Sequence, residues 1–183
     1  MSDLFRRMRG AAALHADTYE EVEADRTSIA QAGAIVAAAS LSNALGTVVA
    51  LGRLEPDGGR LVFQTILSAL LPLVIWLGGS MFSYMAGATF FRVSETETDF
   101  AEVMRTTGFA FTPGLLLGFA ATPPLALGIS IVWIVRLWIL LAAVVAIRQA
   151  LDFTTLRAVG SFGSAALLLW LLLWGLAAAP LPF

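Results

Sequence analysis

Four long stretches of this chain carry no charge, and a polypeptide with that pattern has few folds open to it. Arg26 and Arg53 bracket 26 uncharged residues, Arg60 and Arg92 bracket 31, Arg105 and Arg136 bracket 30, and 26 more run from Ala158 to Phe183. A helix of about 20 apolar residues crosses the ~30 Å hydrocarbon layer of a bilayer, where charges are strongly disfavoured. The third stretch resumes after Arg136 and runs on to Ile147, making 42 residues with one charge. That is too long for one crossing. Its natural break is Thr122-Pro123-Pro124, because proline lacks an amide donor and disfavours helix in the residue before it.

The expected fold is therefore all-α, an integral membrane bundle of five transmembrane helices near 28–51, 64–90, 107–122, 125–147 and 159–178, preceded by a leader over 1–26. The bundle domain covers 27–183. Composition agrees, with 58% hydrophobic and 13% charged residues against about a quarter charged in soluble domains. Span three is short and contains Pro113, so a tilt or kink is expected there.

Arginine asymmetry sets the orientation. Four arginines precede span one, two lie in 92–105 and two in 148–157, against only Arg53 and Arg60 on the opposite side. The positive-inside rule then puts the N-terminus in the cytoplasm and the C-terminus outside. No cleavable signal peptide is expected, since only Ala11 to Leu14 are apolar before His15 and Asp17. Leu4, Phe5 and Met8 beside Arg6, Arg7 and Arg9 suit a short amphipathic helix at anionic headgroups, and equally a disordered basic leader. The acidic stretch from Asp17 to Asp25 reads either as a solvated helix or as a docking surface. Between spans one and two, Glu55-Pro56-Asp57-Gly58-Gly59 is turn chemistry.

Polar residues inside the spans are few. Arg136 falls near mid-bilayer, at a nominal cost of about 2.5–3.5 kcal/mol, and no acid lies in any span to pair with it. Asn43 sits at comparable depth, so Arg136 and Asn43 form a candidate intramembrane polar site, with internal bonding or snorkelling as the bland alternative. Small residues recur every fourth position in span one, including Ala34, Ala38, Ser42 and Gly46, and again at Gly79, Ser83 and Gly87 in span two. Such spacing lets helices approach closely, within the chain or between copies. The row drifts about 40° per step, so it cannot all face one neighbour.

Catalysis and cofactors find little support. The chain has no cysteine, one histidine outside the spans, and no lysine, so neither a buried Ser–His or Ser–Lys pair nor a thiolate metal site can be assembled. No glycine-rich phosphate loop occurs in a strand-to-helix setting. Eleven basic residues against thirteen acids leave no excess for nucleic acid. No cofactor and no metal are expected.

Three stretches carry a family resemblance: Asp17 to Asp25 ahead of span one, Arg105-Thr106-Thr107-Gly108-Phe109-Ala110-Phe111-Thr112-Pro113-Gly114-Leu115 opening span three, and Trp138 followed by Ala146 to Thr155 closing span four. Together they resemble the Yip family, the Ypt-interacting proteins, in its bacterial branch. The resemblance covers 15–160 and implies five spans and a cytoplasmic N-terminus, the topology reached from charge alone. Eukaryotic members are associated with Rab-type GTPases and vesicle traffic, but a GTPase partner is not carried over to an all-arginine, Ala/Leu/Gly-rich chain of bacterial character. On the cytoplasmic side the three stretches suggest a cluster of Tyr19, Glu20, Arg105, Arg148, Asp152 and Arg157 tying the leader to the helix ends. Arg148 and Asp152, four apart, suit a helical ion pair if span four continues that far.

The resulting expectation is a non-enzymatic protein of the bacterial inner membrane, acting as a scaffold, assembly factor or accessory subunit, with lipids and a membrane-protein partner or second copy as its contacts. Two alternatives remain at this stage: a small transporter, channel or lipid-binding protein built on Arg136, and a membrane-shaping protein.

Overall fold

The structure, a computed structural model, describes residues 2–54, 56–89, 99–121 and 124–178. Among them every regular element is helical: α1 (Ser2–Ala12), α2 (Ala16–Ala24), α3 (Ser28–Leu51), α4 (Gly58–Thr89), α5 (Phe100–Ala110), a 3₁₀ segment (Thr112–Ala121), α6 (Leu125–Ala150) and α7 (Thr155–Ala178). Four helices are long and apolar enough to cross a membrane, over Ser28–Leu51, Gly58–Gly87, Leu127–Ala150 and Thr155–Trp174. Their outward faces are studded with exposed Leu41, Phe63, Ile66, Trp133, Leu137 and Trp170, the surface expected against lipid.

The first helix has the bounds expected from its charge-free window. The others run longer, with α4 starting at Gly58, α6 reaching Ala150 and α7 starting at Thr155. An uncharged window marks the hydrocarbon layer, whereas a helix continues until its backbone is capped. The expected end of span two at 90, Arg92, Glu55 of the turn, and Thr122 and Pro123 of the proline break lie outside the described residues.

The third segment departs from the expectation of one helix over 107–122. It begins at Phe100 behind a capping box, in which the Asp99 carboxylate accepts from Glu102 N at 2.8 Å and the Glu102 carboxylate accepts from Asp99 N at 2.9 Å. The α-helix stops at Ala110 because Pro113 cannot donate to the Phe109 carbonyl. The Thr112 hydroxyl donates to that carbonyl instead, at 2.7 Å. The backbone then continues as a tighter 3₁₀ helix supported from outside. Ser42 on α3 donates to Leu115 O at 2.7 Å and accepts from Gly118 N at 2.8 Å.

Such contact needs close approach. Gly46 is buried, and a Cβ there would meet the Leu117 carbonyl; a Cβ on Gly108 would come within 2.5 Å of Ala32 Cβ. Ala32, Ala39 and Gly46, seven residues apart, thus form the row that meets Gly108, Gly114 and Leu117. Within the chain the four-residue row divides. Ser42 and Gly46 do pack, but Ala34 and Ala38 are exposed, because at 3.6 residues per turn a seven-residue step keeps one face and a four-residue step leaves it. In α4, Ser83 is buried and Gly87 lies against Leu151 and Phe153, while a Cβ on Gly79 would meet nothing within 4 Å.

These contacts make a trough. Its floor is α5 and the 3₁₀ segment, its walls are α3 and α6, and α4 and α7 close the far side. The core cluster joining Ile35, Val36 and Ala39 of α3, Phe109 and Ala110 of α5 and Ala142, Ala143 and Ala146 of α6 includes Ala11, Tyr19 and Val22 from the N-terminal helices.

Candidate functional site

The N-terminal segment forms a helical hairpin that fills one end of the trough. Leu14 has φ 62°, His15 N donates to Gly10 O at 3.0 Å and Leu14 N donates to Ala11 O at 3.0 Å, so α1 ends in a Schellman-type reversal. Leucine is unusual in the left-handed region, and here its side chain packs against the core cluster. The reversal brings α2 back along α1. Arg6 grips Glu21 with both terminal nitrogens at 2.6 Å, and Arg7 reaches Glu21 at 2.9 Å and Asp25 at 2.7 Å.

Side-chain donors, most of them buried, bolt this hairpin down at its carbonyl ends. The Tyr19 hydroxyl, fully buried, donates to Ala11 O at 3.1 Å, and Trp138 Nε1 on α6 donates to Ala12 O at 2.7 Å. The C-terminus of α2 is met by Ser28, whose hydroxyl donates to Val22 O at 2.8 Å, and by Arg105. Arg105 is 4% exposed, and its Nε and Nη2 donate to Glu23 O at 3.1 and 2.7 Å. A guanidinium here both satisfies an orphan carbonyl and opposes the negative end of the helix dipole. The Glu102 carboxylate stands 3.8 Å from Arg105. On the α6 side, Gln149 links the Glu20 carboxylate at 2.7 Å to Arg148 at 2.8 Å.

The hairpin covers only part of the trough. A groove of about 380 Å³ continues between α3, the 3₁₀ segment and α6, and both Asn43 and Arg136 line it. They do not bond each other. Asn43 Nδ2 donates to Ser68 O on α4 at 2.8 Å, and Arg136 makes no hydrogen bond or ion pair among the described residues.

Known proteins bear on this arrangement in one way. The sequence model of the Yip1 domain matches residues 15–177. The chain belongs to the Yip1 domain family. No curated protein and no solved structure gives a significant match. The Yip1 match begins at the hairpin turn, so α2 lies inside it and α1 ahead of it. This is a multi-pass integral membrane protein of that family.

Within the Yip1 domain, the six residues expected to cluster fall at the hairpin end without forming one network. Arg105 meets a backbone carbonyl, Tyr19 is buried on Ala11, and Glu20 and Arg148 are joined through Gln149. The Arg148–Asp152 ion pair is absent because α6 ends at Ala150. Asp152 takes φ 50° in a second Schellman turn, closed by Phe153 N donating to Arg148 O at 2.9 Å. Arg157 is exposed, with no partner among the described residues. Ser83 and Gly79 line a second cavity of about 270 Å³, bounded by α4, α6 and α7.

Sequence reasoning assigned Arg6 and Arg7 to headgroups and Glu21 and Asp25 to an acidic stretch without pairing them, and gave no role to Gln149 or to Trp76, whose Nε1 donates to Met104 O at 3.0 Å. Opposite charges fifteen residues apart signal nothing until a turn between them is known. Trp138 was visible only through the family resemblance.

Acid and base loosen the hairpin from opposite sides. Glu21 is held down at about 2, chiefly by hydrogen bonding from Arg6, and Asp25 at about 2, chiefly by the Thr27 hydroxyl and then Arg7. Their contribution is complete above the ordinary carboxylate values of 4.5 and 3.8 and is lost as pH falls through about 2. Glu23 is raised to about 7 by burial and by facing Glu102 and Asp152, so its contribution is complete below 4.5 and is lost as pH rises through about 7. Spin labels at Ala13 and Leu156, both exposed, will report a narrow distance distribution in weak acid and broadening at either extreme. An unchanged distribution from neutral to strongly acid pH contradicts this.

Proposed function

We propose that this Yip1-family chain is a non-catalytic membrane protein with five crossings, its N-terminus in the cytoplasm, serving as a scaffold, assembly factor or accessory subunit in a bacterial inner membrane. The observation that carries this is the hairpin end. Buried Arg105 from α5 and half-buried Trp138 from α6 hold it, and Asp17, Glu20 and Asp152 are exposed on it. A rigid acidic face suits a basic partner surface better than it suits chemistry.

The fifth crossing rests on length. Eleven α-helical and ten 3₁₀ residues extend about 36 Å, enough to pass the hydrocarbon layer. The third segment also runs parallel to α3, with Gly108 by Ala32 and Leu117 by Gly46, which supports a full traverse. Among the described residues, Arg6, Arg7, Arg9, Arg26, Arg105, Arg148 and Arg157 lie on the hairpin side against Arg53 and Arg60 opposite, which supports the orientation.

An alkaline phosphatase fusion after Phe183 will be active, and gentle detergent extraction with cross-linking will retain a partner that the double variant Glu20→Lys, Asp152→Lys loses. Phosphatase inactivity there, with a cytosolic reporter fluorescent at the same site, overturns the topology. A chain that migrates alone and cross-links to nothing overturns the scaffold role. The lipid-binding alternative is favoured by one observation, the groove at Arg136.

A further inference from the structure

The cavity between α4, α6 and α7 is apolar except at one end. Among the described residues its lining carries no charged side chain, and its hydroxyls belong to Ser80 and Ser83 on α4 and Thr107 on α5. Gly87, one turn beyond Ser83, packs on Leu151 and Phe153 in the turn between α6 and α7, so the hydroxyls mark the end nearer the hairpin. Measured from Gly87, Ser83 and Ser80 lie about 6 and 10 Å of helix deeper. Past them the lining is apolar, through Ala165 and Leu169 to Ile75 and Leu173. The rim carries exposed Leu140 on α6 and exposed Trp170 on α7, so the cavity opens sideways into lipid.

The hydroxyls at that end are not all satisfied by the fold. Thr107 spends its one proton on Val103 O in its own helix, so the 2.8 Å bond between the Ser80 and Thr107 hydroxyls is donated by Ser80. Ser80 Oγ is left as an acceptor. Ser83 is 1% exposed, and its hydroxyl has no hydrogen-bond partner among the described residues, although Thr47 and Thr65 each donate back to the carbonyl four residues earlier. A buried hydroxyl without a partner is costly where no water can reach it. Three residues apart on one helix, Ser80 and Ser83 have Cβ atoms about 5–6 Å from each other. One hydroxyl group placed between them accepts from Ser83 and donates to Ser80. A carbonyl can use Ser83 alone, and a phosphate finds no cation in the lining. Space for the group exists at this level, since a Cβ on Gly79 would meet nothing within 4 Å.

We propose that this cavity binds a neutral lipid alcohol, a long apolar chain ending in one hydroxyl, with the hydroxyl held between Ser80 and Ser83 and the chain leaving between α6 and α7. Its volume of about 270 Å³ falls short of the ~300–1,000 Å³ of sites that enclose a small ligand whole. The cavity therefore takes the polar end and the adjoining carbons, and the rest of the chain passes Leu140 and Trp170 into the bilayer. The inference rests on neither the scaffold role nor the groove at Arg136.

The test is native mass spectrometry of the full, delipidated chain in mild detergent with farnesol, its methyl ether and its monophosphate. One farnesol is retained, the ether is held about tenfold more weakly because it cannot donate to Ser80, and the monophosphate is not retained. Ser83→Ala removes a hydroxyl that bonds nothing in the fold, so the thermal midpoint and the hairpin spin-label distance stay at parent values while farnesol binding falls about tenfold. Gly79→Leu fills the space beside the serines and blocks alcohol and ether alike, with the thermal midpoint reporting its folding. Ether bound as tightly as alcohol, or parental farnesol binding in Ser83→Ala, overturns the proposal. Parental binding in folded Gly79→Leu places the alcohol elsewhere and overturns the site. Phosphatidylglycerol retained as firmly as farnesol shows a seat for any bilayer chain and overturns the ligand class.

Discussion

Replacing Arg105 by methionine releases the N-terminal hairpin and lowers the stability of the folded chain by about 3 kcal/mol. The side chain is 5% exposed and spends two donors on Glu23 O, so its loss leaves a carbonyl at the end of α2 without a partner. It also removes the cation facing Glu23, whose charge burial and the nearby Glu102 already disfavour. Glu102 stands 3.8 Å away, so the carbonyl bonds and the acid pair matter more than that ion pair. Truncating one member of a buried charged contact costs about 3–5 kcal/mol, and the long Glu102 distance places this case at the lower end. Arg105→Lys should fall between, keeping the charge but losing the two-pronged geometry. The measurement is the thermal midpoint in mild detergent together with the Ala13–Leu156 label distance. A methionine variant with wild-type midpoint and distance shows that Trp138, Tyr19 and the apolar contacts hold the hairpin unaided.

The sequence stretches that pointed to this end of the molecule were informative for a physical reason. Charge-free windows report where lipid lies, and they located α3 at its observed bounds and the α6–α7 pair to within a few residues. They say nothing of where a helix is capped, so the extension of α4 to Gly58 was invisible. Pro113 announced a break, but its consequence depends on a hydroxyl at Ser42, far away in the chain, that supports the 3₁₀ backbone. Likewise Arg105 and Glu20 were legible as charges flanking spans, while their partners were not. The partner of Arg105 is a carbonyl that exists as an acceptor only once α2 has ended. The Arg6 and Arg7 clamp requires the left-handed Leu14, a conformation no pattern of residue types announces.

The row of small residues offers the sharpest contrast, because one periodicity predicts opposite outcomes at neighbouring positions. Gly46→Val should destabilise the chain by about 3 kcal/mol, from overpacking and from the backbone bonds it breaks. Its Cβ would press on the Leu117 carbonyl, and backbone cannot rotate away as a side chain can. The 3₁₀ segment would have to move off α3, parting the Ser42 hydroxyl from Leu115 O and Gly118 N. In an apolar surrounding those groups have no water to fall back on. Ala38→Val and Ala34→Val, on exposed positions of the same helix, should stay within about 0.5 kcal/mol of the parent. Gly79→Ala should be similarly mild, since nothing lies within 4 Å of the added methyl. Thermal midpoints in mild detergent measured across the four variants decide the matter. If Ala38→Val falls as far as Gly46→Val, α3 meets the third segment along the four-residue row, and if Gly46→Val melts with the parent, the close approach at Leu117 is wrong.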